Sequence, residues 1–118
     1  GLDHRADPHY PGVRDLTLSP STTLAGRKAT ADKGVEVAEL TAVVSADELI
    51  LADALGLGSD VAINPSGGAL VSNPTMVTGL ARIGEAAQQV MDGKQRALGH
   101  ASSGPCLQQN LVCVVEAR

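Results

Sequence analysis

The near-absence of aromatic side chains most constrains how this chain can fold. Its 118 residues include one tyrosine, Tyr10, and no phenylalanine or tryptophan. Aromatic rings usually supply the large blocks of a small hydrophobic core. Here alanine, valine, leucine and isoleucine must fill the core alone, which favours helices packed closely on a sheet. Because this leaves little margin for a free-standing domain, we expect the chain to be part of a larger protein and only marginally stable alone.

Charge and composition exclude several classes of function. Nine basic and 13 acidic residues give a formal charge of −4, whereas a nucleic-acid partner calls for a surplus of lysine and arginine. No apolar run approaches the roughly 18–20 residues that a membrane span requires. The two cysteines are too few for a secreted disulfide framework and no signal peptide precedes them, so we expect a cytoplasmic protein with reduced thiols. The histidines and cysteines also lack the spacing of a metal site.

The spacing of apolar residues predicts alternating helices and strands after an irregular arm. Residues 1–20 have no apolar period and read as an extended arm or loop, and residues 21–118 form the folded domain. Three helices and three strands are predicted: helices at about 21–31, 45–55 and 74–91, and strands at about 35–44, 61–64 and 111–115. This order indicates α/β layering with a sheet between helices.

Local signals refine these helices. Ser45 and Glu48 have the spacing of a capping box, and Gly56 ends the helix that follows. In the last helix the apolar residues recur at spacings of three and four, with Arg82 on the opposite side. Gly79 and Gly84 weaken that helix, which suggests close packing against another backbone. On the arm, His4, His9 and Tyr10 could contribute to a site, although a surface loop is the commoner meaning.

Two segments have the chemistry of a ligand site and also a plainer interpretation. The motif Asn64-Pro65-Ser66-Gly67-Gly68 follows a predicted strand, where paired glycines let a backbone approach a substrate. A tight turn that needs positive φ accounts for it equally well and is favoured by the residues alone. Ser72-Asn73-Pro74 opens a helix whose N-terminus suits a thioester oxygen, an enolate or a phosphate. Simple helix capping accounts for Asn73 and Pro74 without a ligand.

The segment from His100 to Cys106 contains a histidine and a thiol, which together suggest a nucleophile and its base. A structural cysteine and a solvated loop histidine are equally compatible with these residues. Cys113 lies in a predicted buried strand, where cysteine usually acts as a small hydrophobe.

Taken in chain order, these motifs resemble the C-terminal half of thiolases, most of all the sterol-carrier or lipid-transfer branch. That branch reads N-P-S-G-G, then G-H-P, then A-T-G-L in a helix with an acidic residue. The matching residues are Ile63-Asn64-Pro65-Ser66-Gly67-Gly68, Ser72-Asn73-Pro74, Thr78-Gly79-Leu80-Ala81 and Glu85. Similarity extends to Val37-Ala38-Glu39-Leu40, Glu48-Leu49, Ala54-Leu55-Gly56-Leu57 and Leu107-Gln108-Gln109-Asn110-Leu111, so that it covers about residues 21–115.

The resemblance implies a five-layered αβαβα fold made of two similar halves, of which this chain is the second, with one βαβα-type layer set. Family members are typically dimers or tetramers that act on acyl-CoA thioesters, as acyltransferases or in making and breaking carbon–carbon bonds. They need no cofactor beyond the CoA thioester itself. Their nucleophilic cysteine comes from the N-terminal half, which is missing here. Related lipid-transfer proteins commonly work beside a small OB-fold partner.

Three departures from the family pattern remove histidines. Asn73 replaces the histidine of G-H-P, Thr41-Ala42-Val43-Val44 replaces H-D-C-F, and Gln109 replaces the histidine of L-Q-H-N. An amide cannot accept and return a proton near neutral pH, although it can donate a hydrogen bond to an oxyanion.

Two functions therefore remain open. The first is a thiolase-like enzyme of lipid or sterol metabolism with a modified mechanism, in which Asn73 and His100 are catalytic. The expected acyl-CoA contacts are Asn64, Ser66, Gly67, Gly68 and Cys106. The second is a non-catalytic acyl-CoA-binding or scaffold subunit.

Overall fold

Five strands form one mixed sheet. The computed structural model describes residues 1–8, 10 and 12–118. The strands are β1 (Leu2–Ala6), β2 (Val37–Glu39), β3 (Ala62–Ile63), β4 (Arg96–Ser103) and β5 (Gln109–Glu116). The helices are α1 (Pro20–Thr30), α2 (Ser45–Leu55), α3 (Gly68–Val71) and α4 (Thr78–Met91), with a 3₁₀ helix at Thr75–Val77. The sheet order is β1-β5-β4-β2-β3, with β2 parallel to β3 and β4, and β5 antiparallel to β4 and β1.

Helices cover both faces of this sheet, so the predicted α/β layering is confirmed. On one face, α1 and α2 place Ala25 and Leu51 in the main core with Leu98 and Val112 of the sheet. On the other face, Ala86 of α4 packs in a smaller cluster with strand residues. None of the described helices is long and apolar enough to cross a membrane.

Small residues let α4 approach the sheet closely. A Cβ added to Gly79 would lie 2.4 Å from the Cβ of Ala101, and one added to Gly99 would lie 2.7 Å from the Cα of Ile83. Because real Cβ atoms do not approach other atoms that closely, only glycine fits at these two positions. This close packing is consistent with the lack of aromatic residues. Without large side chains, the helix and the sheet must approach each other closely to leave no empty space between them.

The sequence analysis misses two strands. Strand β1 lies within the segment interpreted as an arm, and it pairs with β5 so that Leu2 faces Cys113. Strand β4 is central, but its sequence around Gly99 and His100 has no β-branched run to indicate a strand. His9 and Pro11 lie outside the described residues, and so the expectation for His9 is not addressed.

The three predicted helices form, with differences at their ends, and the short helix α3 was not predicted. Helix α2 ends at Gly56, which adopts the predicted left-handed conformation with φ 63°. The predicted capping box is wrong: Val44 is the N-cap residue, and no side chain caps the helix. The Glu48 carboxylate instead accepts a hydrogen bond from Asn64 Nδ2 at 2.6 Å. Helix α4 begins at Thr78 rather than at Pro74, because the 3₁₀ helix comes first.

The predicted apolar face of α4 is only partly the face that packs on the sheet, where Ile83 and Val90 do lie. The buried residues of the helix are Thr78, Arg82 and Ala86, whereas Leu80 and Met91 are exposed. The apolar spacing correctly indicated a helix, but it carries no information about which face the sheet covers. The expected packing role of Gly84 is likewise not found, since a Cβ there would meet nothing within 4 Å.

Candidate functional site

A cleft of about 540 Å³ opens at the carboxyl ends of β2 and β4. Ligands of α/β proteins bind at this edge of a sheet. The lining combines residues that carry hydroxyl groups with residues that have apolar side chains. The hydroxyl-bearing residues are Thr41, Thr75, Thr78, Ser102 and Ser103, and the apolar ones include Val43, Met76 and Leu80. Of the predicted site residues, Asn73 alone is in the lining that the structure describes.

The Asn73 amide is held in one orientation. Its Oδ1 accepts hydrogen bonds from the Thr75 backbone N–H at 3.2 Å and from Thr78 Oγ1 at 2.5 Å. A peptide N–H can only donate, so the atom facing Thr75 must be the oxygen. Asn73 Oδ1 thus holds the turn before the 3₁₀ helix, but the predicted N-cap role is wrong, because Pro74 is the N-cap residue and no side chain caps that helix.

The other end of the same amide is free. No hydrogen bond from a described residue engages Asn73 Nδ2. The residue is exposed and lines the cleft. Its two N–H groups can therefore donate to an oxygen atom of a ligand while Oδ1 keeps its hydrogen bonds to Thr75 and Thr78.

The cleft has donors but no group that titrates near neutral pH. Over the described residues its lining includes no histidine, cysteine, aspartate, glutamate or lysine. Hydroxyl and amide groups can bind and orient an oxygen, but they do not take up a proton in water near pH 7. The cleft alone is therefore suited to binding and to stabilising an oxyanion.

His100 lies on the opposite face of the sheet. The next residue, Ala101, contacts α4, and side chains alternate along a strand, so the His100 ring points towards α1. It is fully buried, and Nε2 lies 3.0 Å from Asn110 Oδ1. His100 is thus neither a solvated loop histidine nor part of the cleft that contains Asn73.

The hydrogen bonds around Asn110 show which ring nitrogen of His100 carries a proton, and the burial of the ring lowers its pKa. Asn110 Nδ2 donates to Ser21 Oγ at 2.6 Å and to the Leu107 carbonyl at 2.7 Å, so its Oδ1 must accept from His100 Nε2. Burial lowers the pKa of His100 to about 4, although the hydrogen bond to Asn110 acts in the opposite direction. The ring is consequently neutral at pH 7, and its buried Nδ1 has no partner among the described residues.

The network continues from Asn110 to the first strand. Ser21 Oγ donates to Asp7 Oδ2 at 2.6 Å, and the same carboxylate accepts the Ser21 backbone N–H. Asp7 thereby caps the first turn of α1 from 14 residues away. The contacts of His100 thus tie α1 and the segment before it to the sheet.

The motif at residues 64–68 forms a tight turn. Asn64, Gly67 and Gly68 have φ values of 48°, 92° and 61°, in the region that glycine adopts most easily. Gly67 N–H donates to the Asn64 carbonyl at 2.8 Å, and Gly68 N–H donates to Ser66 Oγ at 3.2 Å. Both glycine N–H groups are therefore already engaged. The structure does not bring these residues into the cleft with Asn73.

The two cysteines also lie outside the cleft. Cys106 is exposed in the turn between β4 and β5, where its carbonyl accepts a hydrogen bond from the Arg14 guanidinium. Cys113 is half-buried in β5, where its strand was predicted. Over residues 1–8, 10 and 12–118, no three histidine, cysteine or acidic side chains are grouped closely enough to hold a metal ion.

A larger groove of about 910 Å³ lies between α1 and α2. Its walls include Leu24, Leu55 and Leu57, and both signs of charge are present, for example Arg27 and Asp53. None of the predicted site residues lines it. The candidate site is therefore the smaller cleft at the strand ends.

Sequence reasoning missed the hydroxyl wall of the cleft and a buried ion pair below it. Ser102 and Ser103 end β4, a strand that was not predicted. Glu39 and Arg82 are both buried and lie 3.2 Å apart. A glutamate in a predicted buried strand requires a buried partner, which is the signal that could have indicated this pair.

Comparison with solved structures gives a match to a monomeric SCP2-thiolase-like protein type 1 from Mycobacterium smegmatis. The TM-score is 0.73 at 22% sequence identity, and the match covers 97% of this chain and 27% of that one. The chain thus has a thiolase-like fold and spans about a quarter of the length of that protein. A scan against protein-family models finds no match, and a search of curated proteins finds none either.

Proposed function

We propose that this chain is the C-terminal half of a sterol-carrier-type thiolase-like protein, which binds an acyl-CoA thioester in the cleft at the ends of β2 and β4. The observation that carries the proposal is the Asn73 amide in the cleft lining, because its Oδ1 is fixed and its Nδ2 has no hydrogen-bond partner among the described residues. The thioester oxygen would accept from Nδ2, and the acyl chain would pack on Val43, Met76 and Leu80. The thiolase-like fold supports this choice of ligand.

The proposed chemistry gives Asn73 the role of an oxyanion donor. One such preorganised donor contributes about 10²–10³-fold to the rate of an acyl-transfer reaction. Acyl transfer, or carbon–carbon bond formation or cleavage, would also need a nucleophile and a proton-moving group, which we propose belong to the missing N-terminal half. A catalytic role for His100 stays a prediction that requires α1 to move away from the sheet. Contacts of the ligand with Asn64, Ser66, Gly67, Gly68 and Cys106 are likewise predictions.

The exposed face of α4 supports a missing covering domain. Val71, Met76, Leu80 and Met91 are between 70% and 93% exposed. Leu80 and Met91 lie in α4, and Val71 and Met76 lie in the two short helices before it. Large apolar side chains that are this exposed are typical of an interaction surface. We propose that the N-terminal half covers them. A homo-oligomer, an OB-fold partner and a cytoplasmic location are further proposals that the resemblance suggests.

A second candidate function is a non-catalytic acyl-CoA-binding or scaffold subunit. The observation that favours it is the described lining of the cleft, which has no titratable side chain. In that case Asn73 would hold the thioester without turnover. The two candidates share the ligand and differ in whether a longer form of the protein releases CoA.

Isothermal titration of acetyl-CoA and a longer acyl-CoA into the protein tests the proposal. Asn73→Asp removes the donor and adds a charge, and we expect at least about 10-fold weaker binding, or about 1.4 kcal/mol. Gln95→Glu is the matched control, because it adds the same charge at the exposed turn before β4, at the other end of that strand. Absence of acyl-CoA binding, or equal binding by both variants, would overturn the proposal.

A further inference from the structure

A buried ion pair holds the turn at residues 64–68. Glu39 ends β2 and is fully buried, and Arg82 of α4 is 3% exposed. Glu39 accepts both donors of Ser66: Oε1 accepts the backbone N–H at 3.0 Å, and Oε2 accepts the hydroxyl at 2.7 Å. Arg82 Nη1 donates to Glu39 Oε2 at 3.2 Å and to Ser66 Oγ at 2.9 Å. The three side chains form one closed set of hydrogen bonds.

Global stability does not explain why the chain keeps this pair. Removing two charges from water costs several kcal/mol for each, and a well-packed apolar pair of similar volume is often at least as stable. The cost here is increased because Arg82 Nε is buried without a partner among the described residues. An apolar pair could not form hydrogen bonds with Ser66. Ser66 Oγ in turn accepts a hydrogen bond from the Gly68 N–H. The pair therefore fixes the geometry of the turn.

The same pair also anchors the helix that carries the cleft. Thr78 and Arg82 are four residues apart in α4, so they lie on one face, and both are buried against the sheet. Thr78 is the residue whose hydroxyl holds Asn73 Oδ1. A displacement of Arg82 would therefore move Thr78 and the Asn73 amide, and a displacement of Ser66 would act on Arg82.

We propose that Glu39 and Arg82 are positioning residues that couple the turn at residues 64–68 to the Asn73 amide in the cleft. Both are buried and act through Ser66 and Thr78 rather than by touching a ligand. In this way one ion pair connects the turn at residues 64–68, which is not part of the described cleft lining, with the segment that contains Asn73. The effect on ligand affinity rests on the proposed acyl-CoA function, whereas the mechanical coupling does not.

The test perturbs the turn and observes the cleft. In Ser66→Ala we expect hydrogen exchange of the Gly68 amide to rise about 5–10-fold, as for the loss of one hydrogen bond, and the Asn73 side-chain amide resonances to shift. Arg82→Met should shift the same resonances, and Arg82→Lys, which keeps a charged donor, should restore them. Val90→Ala is the control for general loosening, because Val90 packs on the same sheet face with Val37, Ala86 and Ala97 and lies eight residues after Arg82 in α4.

The outcomes separate the two proposals. Unchanged Asn73 resonances in Ser66→Ala and in folded Arg82→Met would overturn the coupling, and so would an equal shift in Val90→Ala. If Arg82→Met does not fold, the Asn73 resonances of Ser66→Ala and Arg82→Lys still test the coupling. A weaker acyl-CoA affinity in Arg82→Met that Arg82→Lys restores supports both proposals. If the Asn73 resonances shift but the protein binds no acyl-CoA, the coupling is supported and the acyl-CoA function is overturned.

Discussion

Replacing Gly79 by alanine should destabilise the protein, although alanine is the better helix former. Alanine is favoured over glycine in a helix interior by about 1 kcal/mol. At Gly79, however, the new Cβ would lie 2.4 Å from the Cβ and 3.2 Å from the Cα of Ala101. Normal carbon contacts are about 3.5–4.0 Å, so α4 must move by about 1 Å. Overpacking of this kind costs about 1–3 kcal/mol, which leaves a net loss of roughly 0–2 kcal/mol.

Gly84→Ala is the matched control in the same helix, because a Cβ there would meet nothing within 4 Å. It should raise stability by up to about 1 kcal/mol. Urea unfolding followed by circular dichroism measures both variants, and the difference between them isolates the contact with Ala101 at about 1–3 kcal/mol. Equal stabilities for the two variants would show that α4 does not approach β4 as closely as the packing argument requires.

Two further predictions concern the opposite face of the sheet. The pKa of His100 is about 4 in the folded protein against 6.5 when exposed, so the unfolded chain binds the proton first and stability falls as pH decreases from about 6.5 to 4. Between pH 7 and pH 4.5, the unfolding free energy of the wild type should fall by about 2–3 kcal/mol more than that of His100→Gln. The same pH dependence in both proteins would contradict the burial of the ring. Asn110→Ala removes the acceptor of His100 and the donor to Ser21, so it should cost about 2–4 kcal/mol in a thermal or urea melt. Its exposed neighbour Gln109→Ala should stay within about 0.5 kcal/mol, and similar losses for the two would argue against the network.

The elements that could be predicted are those with local signals. Helix α2 ends at a glycine that adopts the left-handed conformation, and β5 contains a run of β-branched residues. Strand β4 lacks such a run, because its centre consists of a glycine, a histidine and an alanine. It becomes a strand because it lies between β2 and β5, which pair with it on both sides. That is information about the whole sheet, and no window of sequence around His100 contains it.

The polar networks were unpredictable for a related reason. Asn110 and Ser21 are 89 residues apart, and Glu39 and Arg82 are 43 residues apart. Helical periodicity assigned Arg82 to the solvent side, since a charged residue is seldom buried. The structure buries it because Arg82 pairs with Glu39 at the end of β2, while Leu80 and Met91 of the same helix are exposed. The family motif thus indicated Asn73, which lines the cleft, whereas contacts that only the fold creates could not be predicted.

The surroundings of Asn73 determine what a single substitution can restore. We expect Asn73→His alone not to produce strong thiolase activity, because the described cleft lining has hydroxyl and apolar groups but no second group that exchanges protons near neutral pH. Position 41, where the resembling branch has a histidine, is Thr41, and its hydroxyl already donates to the His100 carbonyl at 2.7 Å. The assay is thiolytic cleavage of acetoacetyl-CoA in the longest natural form of the protein, with acyl-CoA binding of the same variant as the control for folding. Substantial turnover from this one change would mean that the proton-moving group lies elsewhere and that the loss at position 41 is irrelevant to the chemistry.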